Sequence, residues 1–129
     1  MDKKTYINIK EPQLILTLIV VIIFLYLVIR FSLPNQAIIL TIDFGNGEKQ
    51  VFYNDQIEQE KAWNLLQQAA VLYSIDLEAN KDFYPRKIDG VQSTDSKKIW
   101  TLYVNGIKQN SSPLDVEVKK PDKVLFKLE

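Results

Sequence analysis

Trp100 and Tyr103 are the side chains in this 129-residue sequence best suited to hold a ligand. They lie in Ile99–Val104, a run rich in β-branched and aromatic residues that reads as a strand. Neighbours on a strand alternate between faces, so two residues three apart point to opposite sides of a sheet. One ring therefore belongs to the core. The other points outward, where it either stacks on a sugar, a peptide or a flat cofactor, or packs under the irregular segment 74–98. Asn105, immediately after the strand, joins Trp100 and Tyr103 as a candidate ligand-binding residue.

Other chemistry finds less support. Asp89, Asp95 and Asp122 lie near expected turns, where two carboxyls could converge for acid–base work, but nothing in the spacing fixes their separation and they read as solvated turn residues. Asp43, Asn46 and Glu48 lack both the spacing and the distal bidentate Glu of a calcium loop, so Asp43–Glu48 reads as a hairpin turn. Ser111 and Ser112 have no histidine to activate them, because the chain contains none, and no motif supports a serine–lysine dyad. Asn110-Ser111-Ser112 matches a glycosylation triplet, a pattern common by chance and here followed directly by Pro113. With neither histidine nor cysteine, ordinary zinc, haem and imidazole acid–base chemistry are unavailable, as are disulfides. The expectation is a protein with no catalytic residues, no metal site and no cofactor: not an enzyme.

The elements that position these residues divide into two parts. From Leu14 to Ile29 every residue but Thr17 is apolar, and Leu33 extends the run to twenty positions if Arg30 and Ser32 sit at its edge. At about 1.5 Å per residue this covers roughly 30 Å, the thickness of a bilayer core. A buried helix in so small a protein would show a polar face, and this one shows none. The run reads as a transmembrane helix over 13–33, with Leu14, Phe24, Tyr26 and Arg30 as its anchor residues. Arg30 extends its charge toward the headgroups. Lys3, Lys4 and Lys10 precede the span, whereas only Arg30 and Lys49 follow it closely, so residues 1–12 form a cytoplasmic tail and the rest lies outside. The apolar run exceeds the ~7–15 residues of a cleaved signal, and Asn35-Gln36-Ala37 is a poor cleavage site, so the anchor is read as retained in the cell membrane.

Residues 34–37 form a short tether containing Pro34-Asn35, and 38–129 the soluble domain. Residues 37–129 carry twelve basic and fourteen acidic side chains, which disfavours a nucleic-acid partner. Ala37–Phe44 is a strand, Gly45-Asn46-Gly47 a tight turn and Lys49–Tyr53 the return strand. Asn54 and Asp55, with Glu58 three further on, resemble a helix cap, and Ala62, Leu65, Leu66, Ala69, Leu72 and Tyr73 recur at helical spacing on one face. Trp63 flanks that stripe and completes the core edge. Asp82–Pro85 and Lys87–Val91 are short extended pieces around turns. Ile99–Val104 turns at Asn105-Gly106 into Ile107-Lys108. Val116 and Val118 alternate with charged neighbours, Lys120-Pro121-Asp122 turns, and Lys123–Leu128 is the last strand. The fold class is α+β: a β-grasp-like mixed sheet of four to five strands covered by one helix, its first and last strands parallel and adjacent, plus the transmembrane helix.

Trp100-Thr101-Leu102-Tyr103-Val104-Asn105-Gly106 resembles the Trp-x-x-Tyr-Val-Asn-Gly motif of the transcobalamin-like C-terminal domain family. Ala62–Leu66 is similar to that family's apolar helix core, Ile88-Asp89-Gly90-Val91 to one of its turns, and Pro121–Phe126 to the approach to its last strand. The likeness covers roughly 38–129. The chain departs from the family in having Pro121-Asp122 where Gly-Asp is usual, and Leu102 where an aromatic is common. The resemblance implies a β-grasp domain of bacterial surface proteins. In the vitamin B12 carriers that share it, the domain closes over a corrinoid held largely by a separate helical domain, of which these residues carry no sign.

Two functions follow as expectations. The first is a membrane-anchored, extracytoplasmic module that binds an unknown ligand or membrane protein without catalysis. The second is a structural or docking subunit of a membrane complex. A corrinoid-related binder ranks below both. The bilayer itself is the partner of residues 13–33.

Overall fold

The computed structural model describes residues 11–32, 36–94 and 97–129. Lys3, Lys4, Lys10, Leu33 at the end of the expected span, Pro34 and Asn35 of the tether and Asp95 lie outside them, as does the Arg30 side chain. Two compact units divide the chain, residues 1–35 and 36–129.

In the first unit, α1 (Glu11–Ser32) is one 22-residue helix, about 33 Å long at the standard rise, so its described residues begin two earlier than the expected span. Pro12–Ile29 has a mean hydropathy of 2.8 and buries nothing within the protein, so α1 is long and apolar enough to cross a bilayer. Thr17, the one polar side chain in the Leu14–Ile29 run, returns its hydroxyl to the Gln13 carbonyl at 2.8 Å, leaving no donor to solvate in lipid.

The second unit is built on a five-stranded sheet. Its strands are β1 (Ile38–Asp43), β2 (Lys49–Asn54), β7 (Trp100–Val104), β8 (Ile107–Lys108) and β10 (Lys123–Leu128), ordered β2-β1-β10-β7-β8. β1 and β10 pair in parallel at its centre, with Leu40 opposite Val124 and Ile42 opposite Phe126, while every other neighbour is antiparallel. The first and last strands therefore meet as the sequence predicts. Five smaller strands complete the fold: β3 (Gln59–Lys61) pairs with β9 (Glu117–Lys119), and β4 (Leu77–Ala79), β5 (Pro85–Ile88) and β6 (Val91–Gln92) form a three-stranded sheet within the irregular segment. Asp89 and Gly90, at φ 49° and 79°, make the β5–β6 turn.

α2 (Ala62–Tyr73) covers one face of the main sheet, and two expectations about it are corrected. It does not start at Asn54-Asp55. Asn54 Oδ1 accepts the Gln56 and Ile57 N–H groups at 3.1 Å each and so closes a turn. The chain then runs through β3, and the helix opens with Ala62 N–H donating to the Val116 carbonyl (2.9 Å) and Trp63 N–H to the Pro113 carbonyl (3.0 Å). Distant carbonyls do the work of a cap. The buried stripe is Ala62, Trp63, Leu65, Leu66, Ala69 and Ala70; Leu72 and Tyr73 are 74% and 58% exposed. Ser74, at φ 57°, ends the helix, and Ile75 N–H donates back to the Ala70 carbonyl.

One core joins these layers. Ile38, Leu40, Ile42, Val124, Phe126 and Leu102 from the inner sheet face pack with Leu65 and Leu66 of α2 and with Ile88 and Val118 of the smaller sheets. Gly45 closes the β1–β2 turn against β10: a Cβ there would lie 2.4 Å from the Leu128 carbonyl oxygen, and its φ of +71° suits glycine.

Candidate functional site

Strand β7 resolves the parity of the two aromatics. Trp100 and Leu102 turn inward and are 3% and 2% exposed, and the Trp100 ring meets Phe44 edge to face at 5.7 Å and 83°. Trp100 is thus a core residue, closed to any ligand in this conformation. Tyr103 turns outward. Its hydroxyl donates to the Glu129 carboxylate, whose other oxygen pairs with Lys127 at 3.0 Å. The hydrogen bond to Glu129 raises the Tyr103 pKa, while the Tyr103 hydroxyl and then Lys127 lower that of Glu129. The hydroxyl edge of the ring is held by the Glu129 carboxylate.

Asn105 has a structural task. It sits at φ 51° in the β7–β8 turn, with Gly106 at 79°. Its Oδ1 accepts the Lys123 N–H at 2.9 Å, its Nδ2 donates to Asp122 Oδ1 at 2.8 Å, and its own N–H donates to the Lys123 carbonyl at 2.8 Å. Asp122 Oδ2 in turn accepts the Lys119 N–H at 2.9 Å. The Asn-Gly motif thereby fastens one hairpin to the turn that feeds β10, and both ends of its amide are engaged within the fold.

Around Tyr103 the outer face of the sheet is open. Register places Val51, Thr41, Leu125 and Tyr103 in one row across β2, β1, β10 and β7, with Tyr53 and Ile39 in the next. None of these six joins the core, which lies wholly on the helix side. Tyr53 is 70% and Val51 45% exposed, whereas the other four are half-buried by their neighbours. Lys123 and Lys108 lie at the rim of this face. The result is an apolar and aromatic patch bordered by Lys123 and Lys108 and by the Lys49–Asp43 and Lys127–Glu129 ion pairs. The sequence contains a signal for it: Ile38-Ile39-Leu40 is apolar at consecutive positions, so one of those side chains had to face away from the helix.

The remaining candidates do not assemble into a reactive site. Asp43 accepts the Gly45 N–H at 2.9 Å and pairs with Lys49 at 3.3 Å; these contacts, the Gly45 amide foremost, hold its pKa below the usual carboxylate value. Asn46 Oδ1 accepts the Glu48 N–H at 2.9 Å, so Asp43–Glu48 is the hairpin turn its sequence suggests. Asp89 accepts from Gln50 Nε2 at 2.9 Å. Ser112 donates its hydroxyl to the Asp82 carbonyl at 2.7 Å and accepts the Leu114 N–H, so it is engaged by the backbone. Among the described residues no three His, Cys, Asp or Glu side chains converge where a metal ion could sit.

Comparison with known proteins gives the chain relatives of unassigned activity. A family model described as Domain of unknown function (DUF4430) matches residues 60–129, just over half of the chain, from within β3 through β10. A crystal structure at 1.30 Å of a protein from Ruminococcus gnavus ATCC 29149, described as a "putative metal binding protein", is similar with a TM-score of 0.54 and 20% identity over 73% of this chain and 96% of that one. At that identity the likeness shows a shared fold. No functionally curated protein matches.

Proposed function

We propose a function from the premise that this chain belongs to the family described as Domain of unknown function (DUF4430). It is a membrane-anchored, extracytoplasmic binding module without catalytic activity, and its partner docks on the open sheet face around Tyr103, Leu125, Ile39 and Tyr53. One observation carries this reading: that face presents apolar and aromatic side chains that lie outside the core, Tyr53 and Val51 the most exposed, while the opposite face is closed by α2 and the two smaller sheets. Monomeric proteins seldom leave such a patch without a use. A sheet face suits a protein or polymer surface better than a small molecule, which favours concave sites. The lysines before α1 support an inside N-terminus. The resemblance of Trp100–Gly106 to the transcobalamin-like domains supports a bacterial surface setting. Corrinoid binding is no part of the proposal, since Trp100 and Asn105 are occupied by the fold. Metal binding does not transfer from the Ruminococcus protein, because the described residues gather no donor set.

The test is crosslinking and co-purification of the full chain from its native membrane. A partner recovered with the wild type should be lost with Leu125→Lys and Tyr53→Lys, exposed-face changes that leave the core intact. Recovery of the bait alone, or a partner that both variants retain, would refute the proposal.

A further inference from the structure

β2 is an edge strand whose single neighbour among the described residues is β1. Phe44 N–H donates to the Glu48 carbonyl at 3.1 Å, which makes 44/48 a hydrogen-bonded pair in the β1–β2 ladder. Such pairs alternate with non-hydrogen-bonded ones, so Ile42/Gln50, Leu40/Phe52 and Ile38/Asn54 are hydrogen-bonded too. Gln50, Phe52 and Asn54 therefore aim their amides at β1, and Lys49, Val51 and Tyr53 aim theirs off the sheet. Natural edges carry a proline, a bulge or an inward charge to block pairing. From Gln50 to Asn54 this edge has none of these.

Exposed apolar groups flank the edge on both sides. Val51 and Tyr53 lie on the outer face. On the helix side are Leu72 and Tyr73, the two residues that departed from the expected buried stripe. The Tyr73 ring stands 4.6 Å from that of Phe52, and Leu72, Tyr73, Phe52, Tyr53 and Asn54 help line a cavity of about 40 Å³. An exposed strand edge and the misplaced end of an apolar helix thus mark one place.

We propose that this edge is a homodimer interface, in which two copies pair β2 antiparallel about a twofold axis at Phe52 and join two five-stranded sheets into one continuous sheet. The occupant follows from self-complementarity. A twofold perpendicular to the sheet keeps each face on its own side, so the axis must pass through a residue. Through Phe52, it sets Phe52 against Phe52, Val51 against Tyr53, Gln50 against Asn54 and Lys49 against Asp55: aromatic on aromatic, apolar on aromatic, amide on amide, cation on anion. It also brings the outward amides of Val51 and Tyr53 into hydrogen-bonded register. Moved to Val51, the axis would oppose Lys49 with Tyr53 and Gln50 with Phe52; moved to Tyr53, it would oppose Val51 with Asp55. Both waste the match. In the Phe52 register the two Ile38 residues lie about 20 Å apart, from three strand spacings across and four residues along. The chain from Ser32 to Ile38 spans up to about 20 Å in each copy, so two chains anchored in one bilayer can form the pair.

The sequence contains no cysteine, so engineered thiols report alone. Full chains in proteoliposomes are oxidised after Phe52→Cys, which sets two thiols across a non-hydrogen-bonded pair at a Cα separation of about 4.5 Å, within disulfide reach. Because Phe52 is half-buried, a mixture of Gln50→Cys and Asn54→Cys chains serves as the second arm. Either arm should give about tenfold more covalent dimer than a Lys81→Cys control, with neither Gln50→Cys nor Asn54→Cys linking alone. Val51→Pro removes an outward N–H without touching the β1 ladder and should abolish the link. Yields at the control level in both arms would overturn the proposal. So would linking by Val51→Cys alone, which lies out of disulfide range in this register.

Discussion

Asn105→Ala tests whether the Asn-Gly motif serves the fold or a ligand. Asn105 holds φ at 51°, where alanine costs about 1 kcal/mol. It also makes two side-chain hydrogen bonds, to Lys123 N–H and Asp122, each contributing about 0.5–1.5 kcal/mol at an exposed site. The expected loss is about 2–3 kcal/mol, which for a domain of this size lowers Tm by about 10–20 °C. Asn105→Gly keeps the backbone conformation and loses only the hydrogen bonds, so it should cost about half as much. Asn105→Asp keeps the acceptor for Lys123 N–H but sets a carboxylate against Asp122. Two close carboxylates raise one pKa, so the variant should be destabilised near neutrality and regain stability relative to wild type as pH falls into the carboxylate range. Unfolding is readable in the full chain in detergent by tryptophan fluorescence, because Trp63 and Trp100 are 5% and 3% exposed. An Asn105→Ala variant within about 0.5 kcal/mol of wild type would refute the assignment, since substitutions without a structural role usually stay in that range. An Asn105→Asp penalty that does not change with pH would refute the carboxylate argument.

Trp100→Ala should cost about 3–5 kcal/mol through the cavity left beside Phe44, whereas Tyr103→Ala, at a half-buried site and losing one hydrogen bond to Glu129, should cost only about 1 kcal/mol; denaturant melts of both variants check the parity of β7. Gly45→Ala should cost about 2–4 kcal/mol, because its methyl would collide with the Leu128 carbonyl on top of the positive-φ strain, while Gly47→Ala, with open space around it, should cost only about 1 kcal/mol. Asp43, Glu60 and Glu129 all have folded pKa values lowered from 3.8 for the aspartate and 4.5 for the glutamates, chiefly by the Gly45 amide, the Lys61 amide and the Tyr103 hydroxyl respectively. The stability they supply is complete above those values and drains away as pH falls from about 5 through the folded pKa values. A Tm series from pH 7 to about 3 should show this loss, with a shallower acid limb in Asp43→Asn.

Where pairing is local or the turn chemistry strong, the sequence is legible. Gly45-Asn46-Gly47, Asp89-Gly90 and Asn105-Gly106 each supply the positive φ their hairpins use, and the chain reverses at all three. The parallel β1–β10 pair follows from two apolar strands at the ends of a domain whose middle provides the crossover. The candidate ligand residues fared differently. Tryptophan, tyrosine and asparagine in one motif suggest recognition, but the alternation of β7 buries Trp100, and the turn consumes both ends of the Asn105 amide. Tyr103 alone keeps its ring on the outer sheet face, together with Ile39, Leu125 and Tyr53, whose importance depends on a sheet face that only tertiary pairing defines.

The errors over α2 have one physical origin. Asn54 offers the same acceptor to a turn as to a helix, and a residue string cannot say which donors will reach it. The choice is made far away: β3 is held by β9, and the first helical N–H groups are taken by the carbonyls of Pro113 and Val116, so the helix begins where the 113–119 segment allows. At the other end, helical spacing places Leu72 and Tyr73 on the buried stripe, yet the sheet beneath them ends at β2. An amphipathic pattern that outruns the sheet it covers leaves apolar surface at that sheet's edge. In this protein the same edge carries the amides of Val51 and Tyr53 that aim away from β1, and a strand that paired with them would also extend the floor under Leu72 and Tyr73.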